Sequence, residues 1–187
     1  MSQLTIYSDV ENHPTEILND GGEIGRRLAA IGVRFERWEA AHALTDDASQ
    51  EDVIAAYQTQ VDALMDEYDF KSVDVVSLNP NHPDKVALRA KFLDEHTHSD
   101  FEVRFFVDGQ GLFYIHAGAK VYGVLCEKGD LISVPANTPH WFDMGENPHF
   151  KCIRLFTTPE GWVAQYTGDR IAGGYPKFSE QFSQQFC

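Results

Sequence analysis

Four side chains in one short stretch are spaced to hold an ion and its ligand. In Phe92-Leu-Asp-Glu-His-Thr-His-Ser-Asp-Phe-Glu-Val-Arg-Phe-Phe-Val-Asp-Gly109, the residues His96, His98, Glu102 and Arg104 all fall on even positions. Along an extended chain, even positions share one face, so two imidazoles, a carboxylate and a guanidinium project together. The opposite face carries Phe101, Val103, Phe105 and Val107 and is fit only for burial. A strand buried on one side rarely carries four ionisable groups on the other without a partner for them, because unpaired burial is costly. Imidazole and carboxylate donors together suit Fe, Ni, Mn or Zn, and two His with one carboxylate is a facial arrangement used by non-haem iron. A third imidazole, His140, follows Val134-Pro-Ala-Asn-Thr-Pro. Pro135 and Pro139 keep its approach extended and stiff, which limits the entropy lost in fixing a ligand.

The elements that must position these groups change character along the chain. Up to about residue 95, helices alternate with short strands. Asn19-Asp20 can cap a helix over Glu23–Ile31 that stops at Gly32. Val33–Trp38 and Val73–Leu78 have strand composition. Val53, Ile54, Tyr57, Val61, Leu64, Met65 and Tyr68 recur at helical steps and predict one amphipathic helix. A further helix starts at Asp84 after the turn Asn79–Pro83. Beyond His96 come six β-rich runs: Phe101–Val107, Leu112–His116, Val121–Cys126, Leu131–Val134, Trp141–Asp143 and Phe150–Phe156. Gly-containing turns separate them, with Gly109-x-Gly111 read as a hairpin, and this spacing predicts an antiparallel sandwich or small barrel. The expected architecture is one α+β domain over 1–187. Its helix and strand part covers about 1–95, its β-barrel core about 70–170, and the Ser/Gln/Phe-rich tail 176–187 is a candidate for disorder.

Composition narrows the function classes. With 43% hydrophobic and 12% aromatic residues, the 187-residue chain can fill a core and is not a solvating, disordered one. Fifteen Lys and Arg against 29 Asp and Glu leave a net charge of −14, which disfavours nucleic acid and anionic membranes as partners. Nine of those acids lie between Trp38 and Phe70 with no base among them, the pattern of a solvated helix face. No apolar run has the length of a membrane span, and the first residues lack the plan of a signal peptide. Three scattered cysteines fit a reducing, cytoplasmic compartment. His13, His42, His82, His116 and His149 lie in polar stretches, turns or strand edges and are read as surface or satisfied residues.

The motifs carry a resemblance. His96-x-His98-x3-Glu102-x6-Gly109 resembles the first cupin motif, and Gly129-x5-Pro135-x4-His140 the second, with Asn137 and Met144 standing where many cupins have Gly and Asn. More narrowly, Gly32–Trp38, Lys91–His98, Glu102–Val107, Glu127–Pro135 and Thr138–Asp143 are similar to the bacterial acireductone dioxygenases, and the similarity runs from about Thr5 to Pro176. The resemblance implies a cupin-type, jelly-roll-like antiparallel barrel with helices packed around it, mainly from the N-terminal half. It implies a site of His96, His98, Glu102 and His140 around one Fe(II) or Ni(II) ion per chain, with two coordination positions left for the substrate's oxygens. It implies cleavage of an acireductone by O2 in methionine salvage. The Fe form would give formate and 4-methylthio-2-oxobutanoate, and the Ni form formate, carbon monoxide and 3-methylthiopropanoate. By the same resemblance Glu95 takes part in metal loading, although alternation turns it away from His98, and the chain acts as a monomer. Phe101 departs from the family, where an acidic residue usually precedes the ligand Glu.

Arg104, one even step beyond Glu102, is placed to hold the substrate's dianion. Phe92, Phe142 and Trp162 are candidates for an apolar slot around its methylthioethyl tail, or for core filling. Two other readings remain open at this stage: another cupin metalloenzyme (a Mn or Zn isomerase, or a different dioxygenase), and a non-enzymatic small-molecule sensor with a structural metal. The second lacks any recognisable output module.

Overall fold

In the computed structural model the described residues are 1–42, 44–45, 47–158 and 163–182. Asp20 accepts from the Glu23 amide and starts α1 (Gly21–Ala29), and Gly32 ends that turn at φ 79°. Ser49 and Asp52 form a capping box at α2 (Gln50–Ala56). The single helix expected through this region breaks at Tyr57 and resumes as α3 (Gln58–Tyr68). At the break the Tyr57 ring is fully buried, edge-on to Phe105 at 5.1 Å. Helix α4 (Lys85–Leu93) runs directly into the ligand segment.

The strands are β1 (Gln3–Ser8), β2 (Pro14–Leu18), β3 (Arg34–Arg37), β4 (Ser72–Leu78), β5 (His96–Thr97), β6 (Glu102–Ala117), β7 (Lys120–Glu127), β8 (Asp130–Val134), β9 (His140–Asp143), β10 (Phe150–Phe156) and β11 (Gln165–Tyr166). All pairings are antiparallel, and the hydrogen-bonded path does not close. It forms two wings that share β6: one runs β11-β5-β9-β6-β7-β1-β2, and the other places β8 and β10 on the first half of β6, with β3 and β4 outside them. The architecture is therefore α+β, an antiparallel sheet folded round a common interior with helices against it. The last described element, α5 (Phe178–Phe182), carries a buried Phe182, and residues 183–187 of the tail lie outside the described residues.

Gly109-x-Gly111 is not a hairpin. Strand β6 continues through it, because Asp108 and Gly109 find partners on β10 while Gln110 and Gly111 find them on β7. Gly109 takes φ 70°, and a Cβ there would sit 2.0 Å from the His149 carbonyl oxygen, so only glycine fits the crossing. Opposite β10 the register skips Val107, a bulge that re-aims the strand. Before it Phe106 faces the interior, and after it Phe113 and Ile115 do, alongside Leu4, Ile6, Val124 and Phe142. The outer face of the first half, Val103, Phe105 and Val107, is covered by Val53 of α2, Val61 and Leu64 of α3 and Tyr57 between them, leaving the acids of this region to solvent. Among the described residues no helix is long and apolar enough to cross a membrane.

Candidate metal centre

The even-numbered set does not come from one strand. His96 sits on β5, His98 in the segment that follows, and Glu102 and Arg104 on β6. Between them the chain changes wings, held by Asp100, whose carboxylate accepts from the Phe101 and Thr157 amides at 2.7 Å each. His140 opens β9 and lies opposite both His96 and Ile115. The topology brings His96, His98, Glu102 and His140 together: one ligand atom from each lies within 4.8 Å of the others. All four are 1–2% exposed. The rings are 4.6 Å apart for His96 and His140, 5.0 Å for His96 and His98, and 5.1 Å for His98 and His140. Glu102 Oε2 is 2.8 Å from His140 Nε2 and 3.1 Å from His98 Nε2.

Each imidazole is fixed from behind through Nδ1. That atom faces a carbonyl oxygen in all three: Asp94 at 2.7 Å for His96, Val163 at 3.2 Å for His98, and Thr138 at 2.8 Å for His140. An Nδ1–H that donates outward leaves Nε2 with its lone pair turned inward, the tautomer a metal ligand needs. Three inward lone pairs and a carboxylate need cationic charge among them. Protons supply it poorly at His96, because burial, reinforced by the nearby His140, pushes its pKa down to about 4. Burial alone would raise the Glu102 carboxyl, but Arg104 and His140 outweigh it and hold it well below the usual carboxylate range, ready as an anionic ligand. Three nitrogens and one carboxylate oxygen, buried and already oriented, fit a divalent transition ion, with Fe, Ni, Mn and Zn all compatible with the donor types.

Arg104 is buried beside this group, its Nε donating to Glu102 Oε1 at 2.9 Å. Its guanidinium lies over Phe142 at 4.5 Å and Phe113 at 5.3 Å. Phe142 is 1% exposed and packs on the backbone at Gly111, where a Cβ would meet its ring at 2.4 Å, so it floors the guanidinium as part of the core. Phe92 is half-buried, 6.0 Å from His96 between ring centres. Trp162 lies outside the described residues. Glu95 points away from the four, as alternation requires, and is buried against His116 Nδ1 at 2.8 Å and the Thr167 hydroxyl at 2.8 Å. His116 thus serves as Glu95's partner. The sequence reading missed the outward carbonyls and Tyr166, which pairs with His96 across β11. The carbonyls two residues before His96 and His140 repeat one local pattern and were in principle findable. Val163, distant in sequence, was not. A cavity of about 760 Å³ lined by Met144, Phe178 and Phe182 holds none of these residues, so size alone does not mark the chemistry.

Comparison with known proteins places the chain in a family. A model of the ARD/ARD' family matches residues 3–164. The acireductone dioxygenases of Methylococcus capsulatus and Aquifex aeolicus are each 56% identical over 180 residues, covering 96% of this chain and 97% and 98% of theirs. That of Pseudomonas aeruginosa is 57% identical over 177 residues, covering 94% of this chain and 98% of its own. Among solved structures, the acireductone dioxygenase from Bacillus anthracis with a cadmium ion in its active centre superposes with a TM-score of 0.78 at 31% identity, covering 89% of this chain and 98% of that one. The chain belongs to the ARD/ARD' family.

Proposed function

We propose that this enzyme is a metal-dependent acireductone dioxygenase that holds one Fe(II) or Ni(II) ion on His96, His98, Glu102 and His140 and cleaves 1,2-dihydroxy-3-keto-5-methylthiopentene with O2. The observation that carries the reading is the buried group of three inward-turned imidazoles and one carboxylate, in a chain more than half identical to acireductone dioxygenases. The chemistry supplied by such an ion when bound is Lewis acidity toward the enediolate oxygens and a route for electrons to O2.

The protein's part is electrostatic and steric. Arg104 keeps Glu102 ionised and places a permanent positive charge beside the ligand group, which favours the substrate's dianion over its protonated forms. Phe142 and Phe113 restrict the guanidinium to one plane, so the substrate meets a preset charge. Burial of all four ligands excludes bulk water from a centre that reacts with oxygen. Phe92 and Trp162 are proposed to flank the methylthioethyl tail.

On this reading the Fe form yields formate and 4-methylthio-2-oxobutanoate, and the Ni form formate, carbon monoxide and 3-methylthiopropanoate, within methionine salvage. The chain works as a cytoplasmic monomer with a small-molecule substrate, without nucleic acid or membrane. Support for a reducing compartment comes from Cys126 and Cys152, both buried with free thiols. The test is to strip the protein, reload it separately with Fe(II) and Ni(II), and analyse products under O2 with acireductone. Different products are expected, with carbon monoxide only from the Ni form. One identical pattern from both would overturn the dual chemistry. Full transition-metal occupancy in His98→Ala, by elemental analysis, would overturn the ligand set.

A further inference from the structure

His140 stands on β9, which pairs with β6 along its whole length, but His96 stands on a strand too short to hold it. Strand β5 has two residues and meets β9 through the single pair His96–His140, and few ladder bonds mean little to keep a ring aligned. Helix α4 packs against β9 and leads through its C-cap residue Asp94 into β5, and the Asp94 carbonyl faces His96 Nδ1 at 2.7 Å. Yet α4 has no fully buried residue of its own, and Val86 on it is 75% exposed. Its polar anchor is Arg89, whose Nε and Nη2 donate to the two oxygens of Asp143 at 2.7 and 3.1 Å. Asp143 ends β9, three residues from His140, and is 1% exposed. It also accepts from the Gly145 and Phe178 amides at 2.9 Å each, so four donors fix one carboxylate.

These links form a closed circuit: Arg89, α4, Asp94, His96, across to His140, along β9 to Asp143, and back to Arg89. We propose that Asp143, acting through Arg89, is a positioning residue for the metal centre: it holds α4 against β9 and so sets the separation and orientation of the His96 and His140 ligand atoms. The proposal rests on the reading that these histidines hold the ion. A bidentate Arg–carboxylate pair suits the task because it fixes orientation as well as distance. An ammonium in place of the guanidinium keeps the charge and loses the fork.

The test compares full-length wild type, Arg89→Lys, Asp143→Asn and the control Arg34→Lys, which loses the fork of a half-buried pair with Glu36 within β3, away from the ligand strands. Circular dichroism checks folding. Ni(II) affinity is measured by competition with a chelator, and the Co(II)-substituted visible spectrum reports ligand geometry. Arg89→Lys and Asp143→Asn are expected to weaken Ni(II) binding by about 10- to 100-fold, the range seen when groups behind metal ligands are removed, and to change the Co(II) spectrum, with Arg89→Lys the milder of the two. Arg34→Lys is expected to match wild type in both. Wild-type affinity and spectrum in folded Arg89→Lys and Asp143→Asn would overturn the clamp alone. Failure of the wild-type protein to bind Ni(II) would overturn the metal reading and the clamp with it.

Discussion

Acidifying the metal-free protein should expose how much the His96 site resists protonation. In the folded chain this imidazole titrates at about 4, against 6.5 for the ordinary group, because it is buried beside a second imidazole. Above pH 6.5 it is neutral in both states and contributes no pH dependence. Between 6.5 and 4 the unfolded chain binds a proton that the folded chain refuses, so stability falls as the pH falls through that window. A displacement of roughly 2.5 units at about 1.4 kcal/mol per unit gives a loss on the order of 3 kcal/mol, complete near pH 4. His96→Gln removes the titration while keeping a polar group at the site. Urea denaturation in the presence of a chelator, at steps from pH 7 to pH 4, should show wild type losing about 3 kcal/mol more than the variant across that range. Parallel curves would refute the claim that this ring is held neutral. Loading with Ni(II) should oppose the loss, since the ion and the proton compete for the same Nε2.

Two further outcomes follow from named contacts. Arg104→Ala should keep the ion and lower kcat/KM by about 10²- to 10³-fold, since it removes the fixed charge beside Glu102 while the three imidazoles keep their own carbonyl partners; wild-type kcat/KM would show its placement to be incidental. Gly109→Ala and Gly118→Ala both put alanine at positive φ, 70° and 62°, but only at Gly109 does the new Cβ strike backbone, the His149 carbonyl oxygen at 2.0 Å. Chemical denaturation should find Gly118→Ala costing about 1–2 kcal/mol of left-handed strain and Gly109→Ala clearly more; equal costs would mean that the crossing of β6 is not tight.

The sequence by itself carried the donor types, their parity and the apolar face behind them, because ligand chemistry and strand alternation are local properties. His96, His98, Glu102 and His140 could be named from spacing and resemblance, and the caps at Asp20 and the stop at Gly32 from short-range hydrogen bonding. Failures of local reading came where distant partners decided. Asp108–Gly111 has turn composition, yet β10 and β7 each take half of it, so the chain bends there but continues as one strand. The helix period across Tyr57 is continuous in sequence, yet the backbone leaves helical geometry at that residue, φ −115° and ψ 22°, and the helix resumes at Gln58. Alternation put His96 through Arg104 on one strand; tertiary structure split them between two wings and still aimed them at one point, because the wings share an interior. Only the folded chain fixes the tautomers, since the carbonyl behind His98 belongs to Val163, and only the folded chain lets Arg89 meet Asp143. Composition and spacing select a chemistry; separation and orientation of the groups that perform it depend on contacts the linear order does not contain.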